Sequence, residues 1–192
     1  MYFPIWVFIG VILFIFVISI IVIFAFPRFS PIPYFPSHGK DIPLILKALR
    51  IRANQTIIDL GAGDGIVIFK AAEVALQKKV NTKFIAVEIN PVLLLILHIR
   101  RLLHPNRNNI RIVKRNMFTC KYSDLIDFKT FDFTTIYLYI SPWFIEKTVK
   151  NISKQIKNFD LVSYFYQVKC LPKHKEEVKE GVHKVYTYNS RL

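Results

Sequence analysis

The sequence predicts an α/β domain with a mostly parallel sheet covered by helices on both faces, preceded by one N-terminal transmembrane helix. Three observations carry that expectation. Residues 2–26 hold no charged side chain, although the 192-residue chain has a formal net charge of +14. Beyond residue 50, apolar runs of strand length alternate with longer helical segments. One such run, Ile57-Ile58-Asp59-Leu60, breaks at Gly61, Gly63 and Gly65 before a second apolar run. That is the strand, glycine loop and helix corner of an open, Rossmann-like sheet.

In chain order, Ile5 to Phe26 is almost wholly Ile, Val, Phe and Leu. A helix of that length crosses a hydrocarbon layer of ~30 Å. Tyr2, Phe3 and Trp6 fall where interfacial aromatics are favoured. A cleaved signal peptide would open with basic residues and end in small ones, and neither is present. Residues 1–27 are therefore read as a membrane anchor. Arg28, Lys40, Lys47, Arg50 and Arg52 follow the span and no basic residue precedes it. That bias puts the rest of the chain on the cytoplasmic or matrix-equivalent side. Prolines 27, 31, 33 and 36 make residues 28–40 an extended neck. The remainder, 41–192, forms one catalytic domain.

Within it, Ser37 is the expected N-cap of a short helix over Asp41–Leu49. The glycine loop opens a helix to about Lys79. Lys83–Glu88 reads as a second strand, and Pro91 as the first turn of a helix to Leu103. Strands follow at Asn109–Val113, Asp132–Tyr139, Leu161–Val168 and Lys184–Tyr188, with a helix over Phe144–Lys157. Pro172–Gly181 is a polar stretch without an assigned element. Cys120 and Cys170 lack metal-ligand or disulfide spacing, and the five histidines are scattered, so no metal is expected.

The loop decides the ligand. A dinucleotide fingerprint wants a small residue where Ile66 stands, and no Gly-Lys-Ser/Thr marks a P-loop. Asp59 and Asp64 make the loop acidic, with no cation in it. Such a loop repels a pyrophosphate and suits a positively charged ligand. S-adenosylmethionine, with a sulfonium, an ammonium and no phosphate, meets that requirement.

With Glu88 ending the second strand and Asn116 after the third, the pattern resembles the class I, seven-strand methyltransferases over about Ser37–Val168. The resemblance implies S-adenosylmethionine as cofactor. It gives Asp59 the ammonium end, and Gly61, Gly63 and Gly65 the loop beneath the methionine part. Glu88 would take the ribose hydroxyls, Ile89 the adenine face and Asn116 the adenine amino group. The anchor, Pro33-Tyr34-Phe35-Pro36-Ser37, DLGAGDG and Val87-Glu88-Ile89-Asn90-Pro91 are also similar to the membrane-anchored protein-lysine methyltransferases. That family includes the mitochondrial enzymes acting on the ATP synthase c subunit and the adenine nucleotide translocase. Ser37 stands where their neck pattern has Thr.

An amine acceptor must arrive uncharged, which aromatic walls promote by desolvation. Tyr34, Phe35 and Phe144 are the expected substrate-binding residues, with Tyr139, Ser141 and Trp143 beside the reacting atoms. Ser141-Pro142-Trp143-Phe144 resembles the Asn/Asp-Pro-Pro-Tyr/Phe motif of base and glutamine methyltransferases, but Ser141 replaces the amide or acid. The expected partners are the bilayer and a lysine of a membrane-associated protein. A phospholipid amine and a catalytically silent scaffold are the alternatives. RNA would need an aromatic-basic platform that is not evident.

Overall fold

The computed structural model of the protein describes residues 4–25, 32–126, 131–172 and 176–189. The expected helix end at Phe26, the flanking Tyr2 and Phe3, and Pro27, Arg28 and Pro31 of the neck lie outside them.

Helix α1 (Ile5–Ala25) is 21 residues long, or about 32 Å at 1.5 Å per residue. It is apolar on every side, and none of Ile5–Val22 is buried against the rest of the chain. Its Ser19 hydroxyl donates to the Ile15 carbonyl at 2.7 Å, removing its polar group from the surroundings. The helix is long and apolar enough to cross a membrane.

The domain is a seven-stranded sheet. Its strands are β1 (Gln55–Leu60), β2 (Thr82–Glu88), β3 (Ile110–Lys114), β4 (Phe133–Leu138), β5 (Asp160–Tyr164), β6 (Glu176–Glu180) and β7 (Lys184–Tyr188). They lie in the order β3-β2-β1-β4-β5-β7-β6, parallel throughout except for β7. Alternate residues feed opposite cores. Ile57, Phe84 and Ala86 pack with α2 (Ile42–Ala48) and α3 (Ile66–Gln77), joined by Leu97 of α4 (Pro91–Leu103). Ile58, Ile85 and Val87 pack with α5 (Pro142–Ser153) and Tyr122 on the other face. Both faces being covered, the central strands are buried nearly throughout, as their apolar runs require.

Four local expectations are corrected. Ser37 does not cap a helix: a 3-10 turn, Gly39–Asp41, precedes α2, and the Ser37 hydroxyl instead meets the Tyr137 hydroxyl at 2.9 Å. The polar stretch before Gly181 contains β6, an edge strand paired only with β7. Helix α5 starts at Pro142, whose missing N–H is harmless in a first turn. Strand β5 stops at Tyr164 because Phe165 turns left-handed at φ 72°.

The β6–β7 hairpin is fastened to the start of α2 by one buried acid. The Asp41 carboxylate accepts from Tyr164 Oη at 2.7 Å, Val182 N at 2.7 Å and His183 N at 2.9 Å. Gly181 must lack a side chain there, since a Cβ would fall 2.3 Å from Asp41 Oδ1. Burial pushes the Asp41 carboxyl up, but these hydrogen bonds outweigh it and hold its pKa below the ordinary value. Its contribution is therefore complete above pH ~4 and lost on acidification below that. Asp41→Ala orphans two backbone donors, leaves the Tyr164 phenol only His183 Nδ1 and His38 N as partners, and should cost about 2–3 kcal/mol in urea unfolding at pH 7. The difference from the parent should shrink as the pH falls below ~4.

Candidate functional site

The chain runs from β1 outward through β2 and β3, then returns to place β4 on the other side of β1. Ligands of open α/β sheets bind at such a reversal, beyond the carboxyl ends of the strands. The glycine loop stands there. Gly61 N and Ala62 N both donate to the Val87 carbonyl, at 2.9 and 3.1 Å, and Gly65 N to Ala62 O at 2.8 Å. Gly61, Gly63 and Gly65 have φ of 75°, 58° and 81°, values that L side chains rarely adopt. Close approach adds a second requirement. A Cβ on Gly63 would lie 2.6 Å from the Tyr34 ring, and one on Gly65 2.6 Å from both Leu97 and Phe69. Gly65 thus brings α3 and α4 together, the packing that a dinucleotide fold assigns to its third small residue.

The three acids at the loop differ in what they touch. Glu88 accepts from Ile89 N at 2.7 Å and Asn90 N at 2.9 Å on one oxygen, and from Gly63 N at 2.9 Å on the other. A carboxylate offers about four acceptor sites, so about one remains for a ligand hydroxyl, on Oε2. Asp64 accepts from Ile66 N at 3.2 Å and pairs with Arg100 at 2.7 Å, with side chains 27% and 39% exposed. The expectation of a loop without a cation is thereby corrected: Arg100 arrives from α4, 36 residues away. Asp59 is different. It is 3% exposed, and no side-chain hydrogen bond or ion pair reaches it from the described residues. Burial, then the neighbouring Glu88 and Asp64 charges, push its pKa up to about 8.

Asp59 opens onto a small cleft between the loop and the neck, with a cavity volume of about 70 Å³. The cleft brings together Asp59, Gly61, Gly63, Glu88, Ile89, Tyr34, Phe35 and Tyr139 of the residues singled out from sequence. Tyr139 also meets Tyr164 edge-on, with centroids 4.8 Å apart. Burial, helped by the Asp64 charge, pushes the Tyr34 phenol up to about 12, so it stays neutral. Sequence reasoning missed Tyr137 and Met117 in the lining. Tyr137 pairs in register with Asp59 across β1 and β4, and a polar residue inside an apolar strand was its available signal.

Five other residues singled out from sequence lie off the cleft lining. Asn116 Oδ1 accepts from Phe118 N at 2.9 Å, closing a local turn. Ser141 precedes α5 without a side-chain capping bond. Phe144 packs on Phe118 at 5.1 Å, and Trp143 is 84% exposed. Gly65 holds the helix start rather than lining the space. Among the described residues no cluster of His, Cys, Asp and Glu is able to hold a metal ion.

An unpaired buried acid, a glycine-rich loop and apolar walls fit a cationic ligand that carries hydroxyls. The sequence matches no protein-family model and no curated protein. In shape the chain is similar to an RNA methyltransferase from Salinibacter ruber in complex with S-adenosyl-L-homocysteine. The TM-score is 0.64 at 17% identity, over 81% of this chain and 93% of that one. It is also similar to a precorrin-6y C5,15-methyltransferase from Geobacter metallireducens, with TM-score 0.57, 20% identity, and 79% and 87% covered. For the human methyltransferase 10 domain containing protein the values are 0.56, 14%, 82% and 85%. The fold is that of class I methyltransferases.

The Asp59 shift has a measurable consequence. Between the unfolded value of ~3.9 and about 8 the folded ligand-free protein binds the extra proton, so this group lowers stability as pH rises. Asp59→Asn should flatten the fall of Tm across that window, and a parallel slope in the variant would refute the assignment.

Proposed function

We propose that the protein is an S-adenosylmethionine-dependent methyltransferase, held at a membrane by α1, that methylates an amine, with a lysine of a membrane-associated protein as its acceptor. The observation that carries the reading is Asp59: a buried carboxylate with no partner among the described residues, facing a cleft beneath a three-glycine loop. Its charge is costly until a cation arrives. The fold's likeness to methyltransferases, one of them in complex with S-adenosyl-L-homocysteine, supports the same reading. The anchor and neck favour a membrane target.

S-adenosylmethionine, when bound, supplies a methyl group on a sulfonium. Asp59 would hold the ammonium, with Gly61 and Gly63 leaving room beside it. Glu88 Oε2 would accept one ribose hydroxyl; a second would require giving up one of its three backbone bonds. Ile89 would supply an apolar surface for adenine. Asn116 keeps one free acceptor site on Oδ1 for the adenine amino group. On the acceptor side, Tyr34, Phe35 and Tyr139 form a wall that favours the neutral amine by desolvation and tolerates the methylated cation. Ser141, Trp143 and Phe144, from their positions, would act further along an acceptor's path. The transfer itself is an in-line displacement, so alignment is the main contribution of the protein.

Incubation with radiolabelled S-adenosylmethionine and a membrane extract should label a protein band, and mass spectrometry should locate the mark on lysine. Label in extracted lipid would favour a phospholipid amine. Label in RNA, the substrate class of the Salinibacter protein, would redirect the acceptor assignment. Binding without any label would mean a silent scaffold. Asp59→Asn should weaken cofactor binding by about 10- to 100-fold, the value of a charge-assisted hydrogen bond; unchanged calorimetric affinity would refute the ammonium assignment.

A further inference from the structure

Helix α4 is apolar on its outward face as well as its inward one. Leu93, Leu94 and Leu97 are buried against the domain, whereas Leu95, Ile96, Ile99, Leu102 and Leu103 are 36–82% exposed. Those five positions are spaced i, i+1, i+4, i+7 and i+8. At about 100° per residue they fall within a single arc of about 120°, one continuous stripe along the helix. Arg100 borders it on one side, His98 and Arg101 on the other. A contiguous exposed apolar patch of this kind marks an interface.

Two features identify what covers it. Helix α1 comes into contact with α4, yet the stripe stays exposed, so α1 is beside it rather than over it. A helix that spans a bilayer and touches the domain brings α4 to the height of the headgroups. The second feature is charge. Residues 89–123 carry seven Lys and Arg and no Asp or Glu. Arg107, in the 3-10 turn four residues beyond α4, is exposed. Apolar side chains bordered by cations match an anionic lipid surface, where acyl chains take the first and phosphates the second. A second copy of this chain matches poorly, because pairing the same faces would oppose two equally basic segments.

We propose that α4 is an interfacial helix, its Leu95–Leu103 stripe lying in the headgroup layer of the membrane that α1 crosses. The inference rests on reading α1 as a membrane span. It adds a depth for the cleft: Leu93 of α4 lines the cleft together with Asp59 and Glu88, so acceptor amines held just outside the hydrocarbon would be the ones within reach.

Nitroxide labels test this in the full chain, with Cys120 and Cys170 replaced by Ala and Ser, in phosphatidylcholine–phosphatidylserine proteoliposomes. Labels would be placed one at a time by Leu102→Cys, Phe14→Cys and Glu146→Cys. The ratio of oxygen to nickel-chelate accessibility should be several-fold higher at Leu102 and at Phe14 than at Glu146 on α5. A ratio at Leu102 equal to that at Glu146, with Phe14 still shielded, would overturn the α4 assignment and leave the anchor standing. Water-like ratios at both Leu102 and Phe14 would overturn the anchor and this inference together. Dipolar broadening between Leu102 labels on separate chains would assign the stripe to a second copy instead.

Discussion

Three backbone N–H groups converge on the Glu88 carboxylate, one from the glycine loop and two from the turn into α4. Much of the site depends on that clasp. The loop between Leu60 and Ile66 carries three left-handed glycines, which hold more unfolded-chain entropy than any other residue. Strand pairing cannot order it, because β1 has ended. Glu88 ties the loop to the end of β2, while Val87 O accepts from Gly61 N and Ala62 N. The same acid fixes Ile89 and Asn90, and Asn90 then caps α4 by accepting from Val92 N and Leu93 N. One carboxylate thus sets the loop and the helix on either side of the cleft.

The neighbouring acids take their roles from that arrangement. Asp64 is engaged by Ile66 N and Arg100, and Glu88 by three amides, so the scaffold uses most of their acceptor capacity. Asp59 points into the same small region and receives nothing from the described residues. Two partly satisfied neighbours of like charge make its ionisation still harder. A ligand ammonium would relieve all of this at once. The site is therefore selective by what it leaves unpaired, since Asp59 in its charged form repels an anion and gives a neutral donor less than it gives a cation.

Legibility in the sequence followed range. The alternation of strands and helices, the glycine corner and α1 rest on local patterns, and each emerges where the pattern put it. Strand β6 escaped because an edge strand with a solvated side is built from Glu and Lys, and its pattern EEVKE has no apolar face to detect. Ser37 was misread because its true partner, Tyr137, is 100 residues away. Arg100 was overlooked for the same reason, and with it the neutralisation of Asp64. Helix α4 is the subtler case. Leucines run along its whole length, and only the packing separates the inward Leu97 from the outward Leu102.

The neck joins these observations. Ile32 to Ser37 are at once the link from α1 and a wall of the cleft, with the Tyr34 ring lying over Gly63 and Ser37 meeting Tyr137. A flexible glycine-serine linker would tether the domain and leave its orientation free. Prolines 33 and 36 make this one stiff, and its docking on the loop makes it part of the site. The lack of a side chain at Gly63 serves both ends of that arrangement: it opens the floor to a ligand and gives the Tyr34 ring a place to rest. The link to α1 and the wall of the cleft are consequently one structural feature. A change in the neck would alter the wall of the cleft as directly as a change in the glycine loop alters its floor.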